Sequence, residues 1–247
     1  MNPKLDLRLD GLAPADQHTE RLGSNTWLDD YEPLVQHDVG ERSFVLALDT
    51  TATCGYTQGE PNITAFDVVR HPEQGTFSLR ASAHANTVFA QKWLTDRGCP
   101  PESLKLSAFR PANELTTRVE DRILRSGDRY KVFERMAMDA GESEAWSLAI
   151  DSEVTSLPVC LFLEEIQPDH DTYTVREGAF PSYDVAEDWL ADRPGPLPLA
   201  PVDLDPETKR TRAALARSST ASPSAPAAVP APPTSAPAAQ QAPRRPM

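Results

Sequence analysis

The feature that most constrains this 247-residue chain is an internal repeat. Thr76–Arg97 (TFSLRASAHANTVFAQKWLTDR) lies without a gap on Thr172–Arg193 (TYTVREGAFPSYDVAEDWLADR), 96 positions further on, with 8 of 22 residues identical. Among the identities are Arg80/Arg176, Ala90/Ala186, Trp93/Trp189 and Arg97/Arg193. A repeat of this kind names the building unit, because similar stretches bury similar faces along similar backbone paths.

Each copy reads as a strand followed by a helix. Thr76–Arg80 and Thr172–Arg176 alternate apolar with polar, the period of a strand with one buried face. Asn86 and Ser182 occupy matched positions and suit helix N-caps. Beyond them Phe89/Trp93 and Ala90/Leu94, like Val185/Trp189 and Ala186/Leu190, recur every fourth residue and give each helix one apolar stripe. Gly98 and Pro194 end the helices.

The match extends backward. Ile63–Val69 lies on Val159–Glu165 at the same offset, with Phe66 on Phe162 and Pro72 on Pro168. Val45–Thr50 lies on Ser147–Ser152 at an offset of 102, so the first copy carries six extra residues between these two strands. A fourth strand is expected ahead of each set, over Tyr130–Asp139 and, less distinctly, Trp27–His37.

The pattern predicts an α+β fold built as a tandem duplication of a β-β-β-β-α unit, antiparallel because the connections are too short for parallel crossovers. The expected parts are a weakly structured segment over 1–24 with a short helix at Pro14–Leu22, a first repeat over 25–98, a connector and linking helix over 99–127, a second repeat over 128–194, and a linker with a disordered Pro/Ala-rich tail over 195–247. A lone unit of about 70 to 90 residues buries a marginal core. The copies are therefore expected to pack together as a pseudo-twofold body, through one continuous sheet or through two sheets meeting face to face.

Composition narrows the setting. Cys54, Cys99 and Cys160 are odd in number and lack CxxC spacing, which argues against a disulfide framework and fits a reducing compartment. The first residues lack the apolar core of a signal peptide, and no run approaches a membrane span. A cytoplasmic protein is expected. Residues from Asp205 on hold six basic and two acidic side chains, which leaves 18 basic against 35 acidic, a net of −17, on the body. Such a surface repels nucleic acid and membrane headgroups and favours a basic protein partner. After Ser218, 17 of the last 29 residues are Pro or Ala, a composition that cannot bury a core.

Candidate binding residues follow from where the copies differ, since matched positions are mostly those the fold demands. The six-residue surplus lies in the loop Thr51–Asn62, which places Cys54, Tyr56, Gln58 and Glu60 on a loop of the kind that carries function. The competing reading is a tolerated surface insertion. Arg80 and Arg176 end equivalent strands and suit a symmetric anion site; salt bridges to Asp96 and Asp192 are the rival use. Asn113 caps the helix ELTTRVEDRILRSG, whose Arg118, Arg122 and Arg125 can grip phosphate. With Glu114, Glu120 and Asp121 interleaved, they read better as a salt-bridged solvent face.

No Gly-rich phosphate loop, nucleophile elbow, HExxH or zinc-spaced Cys/His pairing is present, so no catalytic residue, metal or cofactor is expected. The leading expectation is a non-enzymatic interaction protein (adaptor, chaperone, inhibitor or immunity-like) that uses its acidic surface, or the cleft between repeats, to hold a basic partner. The alternatives are a hydrolase-type enzyme with a site beside the 51–62 loop, and a structural component of a larger assembly with the tail as spacer.

Overall fold

In a computed structural model the described residues are 5–25, 28–51, 61–106, 109–137, 144–202 and 210. The chain divides into two compact units, Met1–Leu204 and Asp205–Met247. In the second only Arg210, which is helical, is described, so the expected disordered tail lies outside the described residues.

The first unit is α+β, with two five-stranded sheets and four helices among the described residues. Sheet A combines β1 (Ala13–Pro14), β2 (Tyr31–Val39), β3 (Arg42–Asp49), β4 (Ile63–His71) and β5 (Thr76–His84) in the order β1-β5-β4-β3-β2. Its helices are α1 (Gln17–Asn25) and α2 (Thr87–Thr95). Sheet B repeats the plan with β6 (Arg110–Pro111), β7 (Tyr130–Ala137), β8 (Glu144–Asp151), β9 (Val159–Gln167) and β10 (Thr172–Phe180), in the order β6-β10-β9-β8-β7. Its helices are α3 (Glu114–Leu124) and α4 (Tyr183–Asp192).

The four-strand antiparallel meander and closing helix appear in both halves, and each half also opens with a two-residue parallel strand and a helix. The repeat is therefore longer than the sequence pattern suggests. Asp16 and Asn113 cap the opening helices by accepting from the N–H of Thr19 at 2.7 Å and of Thr116 at 2.9 Å. Each of those threonines then accepts from a strand N–H, Leu79 in one half and Val175 in the other, both at 3.3 Å. Small irregularities repeat too. The outer strands bulge at Pro33/Val35 and Val132/Glu134, and Tyr31 meets Phe66 edge-on as Tyr130 meets Phe162, at 5.1 and 4.9 Å. Gly75 and Asp171 close equivalent turns in the left-handed region at φ 62° and 49°, where glycine is free of strain and aspartate is tolerated.

The segment ahead of α1 is more ordered than expected. Leu5 and Leu7 are buried against Val45, Phe66 and Phe77, and the buried Arg70 donates to the Leu7 carbonyl at 2.8 Å. The alternation Leu5, Leu7, Leu9 is itself a strand-like pattern with one apolar side. At the other end, the expected linker lies along β10. Ala179 donates to the Pro198 carbonyl at 2.9 Å and Ala200 to that of Glu177 at 3.0 Å, while Leu197 joins the core. Gly178 permits this approach, because a Cβ there would lie 2.5 Å from a Leu197 methyl carbon.

The halves pack by unlike faces, which differs from the expected pseudo-twofold arrangement. On sheet A, one face lies under α1 and the other under α2. On sheet B, the face equivalent to the α1 side carries α3, and α2 of the first half packs there beside it. Val88 and Phe89 of α2 join Val119, Ile123, Ala149, Cys160 and Phe162 in one core. A twofold would bring like faces together. Here the order is α1, sheet A, α2 with α3, sheet B, α4, a head-to-tail stack in which two helices fill the middle. The stack forms because α2 is apolar on both sides: Ala90 and Leu94 face sheet A, Val88 and Phe89 face sheet B.

Phe89 and Val185 are equivalent by the repeat, yet Phe89 is 6% exposed and Val185 44%. Phe89→Ala is expected to cost about 3–5 kcal/mol of stability in urea unfolding, whereas Val185→Ala stays within about 0.5 kcal/mol.

Candidate functional site

Cys54, Tyr56, Gln58 and Glu60 lie outside the described residues. Arg80 and Arg176 are not brought together. Arg80 is on the α2 side of sheet A and Arg176 on the α4 side of sheet B, so sheet B lies between them. Neither makes the alternative contact: Asp96 pairs with Lys92 at 2.6 Å, and Arg176 with Glu165 at 2.5 Å.

The junction holds a polar network that sequence reasoning missed. Asn86 precedes α2 as expected but makes no side-chain cap. Its oxygen instead accepts from Ser147 at 2.5 Å and its amide donates to the Ala145 carbonyl at 3.3 Å, both in the other half. Glu164 of β9 takes over the capping, accepting from the Thr87 N–H at 2.9 Å and the Thr87 hydroxyl at 2.8 Å. Glu164 stands where the first half has Val68, an acid at an inward-facing repeated position, and that mismatch was its signal in the sequence. Burial pushes its carboxyl up to about 7, against the opposing pull of the Thr87 hydrogen bonds. Nearby, Tyr173 donates to Glu120 at 2.5 Å, and burial raises the Glu120 carboxyl as well.

A second buried cluster lies beneath α3. Arg122 donates to Glu177, Arg129 forks onto Asp151 at 2.9 and 2.6 Å, and the Cys160 thiol donates to Glu177 at 3.3 Å. Asp151, Cys160 and Glu177 present ligand atoms within 4.8 Å of one another. Two guanidinium groups already face these carboxylates and would repel a cation, so the cluster fits a salt-bridged core. Burial and the adjacent Glu177 charge raise the thiol far above its ordinary range, which makes it inert as a nucleophile. Above it, Arg118, Arg122, Arg125 and Arg129 line a cavity of about 480 Å³ with Asp121 and Glu153. Arg125 pairs with Asp121 at 3.4 Å and Arg129 with Glu153 at 3.1 Å, as expected of a salt-bridged face; Arg122 instead turns inward.

The outward face of sheet B is where the two halves differ most in what is covered. In the first half the chain after α2 folds back as a helical turn, Pro101–Leu104, and Cys99 and Leu104 pack with Leu34, Val35 and Trp93. In the second half the chain after α4 runs along β10 instead. Phe133 and Ile150, the counterparts of Leu34 and Leu48, are left 45% and 40% exposed. Val185, on α4, is a further exposed apolar residue at 44%. Tyr183 packs against Phe133 at 5.8 Å between centroids. Glu134 and Glu187 stand beside it, and they hold the Tyr183 hydroxyl up to about 12, Glu134 first by accepting its hydrogen bond and both by their negative charge. Lys131, across from Ile150, is a basic residue on this face.

No protein family, curated protein or solved structure matches the chain. Among the described residues no helix is long and apolar enough to cross a membrane.

Glu164 makes stability pH-dependent with a definite sign. Between its unfolded value of 4.5 and about 7 the folded state holds the extra proton, so this contribution is full below 4.5 and lost as pH rises through about 7. Urea unfolding across that window is expected to show Glu164→Gln gaining on the parent chain with rising pH, by on the order of 3 kcal/mol. Parallel profiles would contradict the assignment.

Proposed function

We propose that this protein is a non-enzymatic interaction module that holds a basic, amphipathic protein segment on the α4 side of sheet B. The observation that carries the reading is the uncovering of Phe133, Ile150 and Val185 at positions whose equivalents Leu34, Leu48 and Phe89 are more deeply buried in the first half. Apolar ground that the fold fills once and leaves open once is a natural place for an external chain. The rim supplies the partner's chemistry. Glu134, Asp184 and Glu187 favour lysine or arginine beside apolar side chains, and the −17 body attracts such a partner from a distance. The buried polar groups described above are committed to structural pairs, which is consistent with binding in place of catalysis.

Affinity capture from cells that make the protein tests this, using the full chain and the double variant Phe133→Asp/Ile150→Asp. Both positions are exposed, so the variant is expected to fold. The parent chain should retain a basic protein that salt elutes, and the variant should lose it. Equal retention by both, or retention indifferent to ionic strength, would overturn the reading.

A further inference from the structure

We propose that the α2 side of sheet A carries a binding site for a phosphate monoester, formed by Arg42, Arg80 and Arg97. All three stand on one face. Asp67 lies across from Phe44 in β3 and from Arg80 in β5, and Arg42 is two residues from Phe44 on the same side. Arg42 forks onto the buried Asp67 at 2.7 and 2.9 Å. Arg97, at the end of α2, stacks on Trp93 at 3.6 Å and donates from Nη1 to the Trp93 carbonyl at 2.8 Å, which leaves its buried Nε with no acceptor. Arg80 is exposed and makes no ion pair among the described residues. Three guanidinium groups therefore share the Asp67 carboxylate, the nearby Asp96 being paired with Lys92, which leaves a local excess of two positive charges on a body whose net charge is −17.

The second half is a built-in control. The counterparts of Arg42, Asp67, Val69, Arg80 and Arg97 are Glu144, Leu163, Glu165, Arg176 and Arg193. There Arg193 pairs with Glu144 and Arg176 with Glu165, both at 2.5 Å, two charges against two. The arginine stack on tryptophan persists, with Arg193 over Trp189 at 4.7 Å, so that stack belongs to the fold. The charge excess does not. It arises where Arg42 replaces a glutamate and Val69 another.

The neighbourhood reports the same imbalance. Burial, together with the nearby Arg80 and Arg42 charges, pulls Arg97 below its usual range despite Asp67 and Asp96. His84, on the face of Arg80, is held neutral down to about 3 by burial and by Arg135 and Arg97, and its buried Nε2 has no partner. The neutral imidazole is able to donate to an oxyanion; the unpaired Nε–H, which Arg176 in the second half shares, belongs to the fold, and the charge excess is what sets this face apart. The forked donors of arginine match phosphate oxygens, and a phosphate monoester near neutral pH carries about two negative charges, the size of the excess. A nucleic-acid polymer is disfavoured by the acidic surface around the site.

Isothermal titration of the full chain with inorganic phosphate and with phosphoserine, at constant ionic strength, tests the proposal. Both probes are expected to bind at one site. Arg80→Ala, which removes an exposed side chain, should weaken each by about tenfold. Arg80→Lys should restore part of the loss, and Arg176→Ala at the equivalent position should change nothing. Absence of binding, binding untouched by Arg80→Ala, or equal weakening by Arg176→Ala would overturn the site. Binding of inorganic phosphate without phosphoserine would overturn its assignment to a monoester.

Discussion

The structure depends on one helix serving two sheets. α2 belongs to the first repeat by sequence, yet Phe89 meets Phe162 edge-on at 5.0 Å and its first N–H is capped by Glu164, both from the second. An unsatisfied N–H at a buried helix start is costly, so the acceptor that caps it fixes where the helix can sit. Asn86, released from capping, ties the same point to Ser147 and Ala145. Apolar packing supplies the attraction and this small polar network supplies the register. The halves, each too small to bury a large core, gain one by sharing α2.

Head-to-tail stacking also explains why the two ends of the stack differ. A twofold body would have equivalent outer surfaces. Here the α1 end is sealed by Leu5 and Leu7, held by Arg70, while the α4 end keeps Phe133 and Ile150 in view. The chain that could have covered them runs along β10, guided by the close approach that Gly178 allows. The two halves differ in an apolar face closed in one and open in the other, and in a charged face balanced in one and unbalanced in the other, and the proposed sites lie there.

Much of this was legible in the sequence, for identifiable reasons. The strands and closing helices were visible because Phe66/Phe162 and Trp93/Trp189 repeat at a constant offset and periodicity carries burial. The caps at Asn113 and Ser182 were legible because they are local, and the one at Asn86 was not, because the helix start is capped by Glu164, 77 residues from Thr87. α1 and the ordered N-terminus were undervalued: Asp16 and Asn113 differ in identity, and the surrounding match is short. The packing of unlike faces could not be read at all, since it depends on both sides of α2 being apolar against surfaces that only the fold assembles. Arg80 and Arg176 match by the repeat, but their neighbours Asp67, Glu144 and Glu165 are set by strand register. The loop holding Cys54, Tyr56, Gln58 and Glu60 lies outside the described residues.

The central claim is that α2 is buried between the two sheets beside α3. Nuclear Overhauser contacts from the Phe89 ring measure this directly. The account predicts cross-peaks to Phe162 and to the methyl groups of Val119 and Ile123, with none to α4. Cross-peaks joining α2 to Val185 or Ala186 of α4, as a twofold packing would produce, would contradict it.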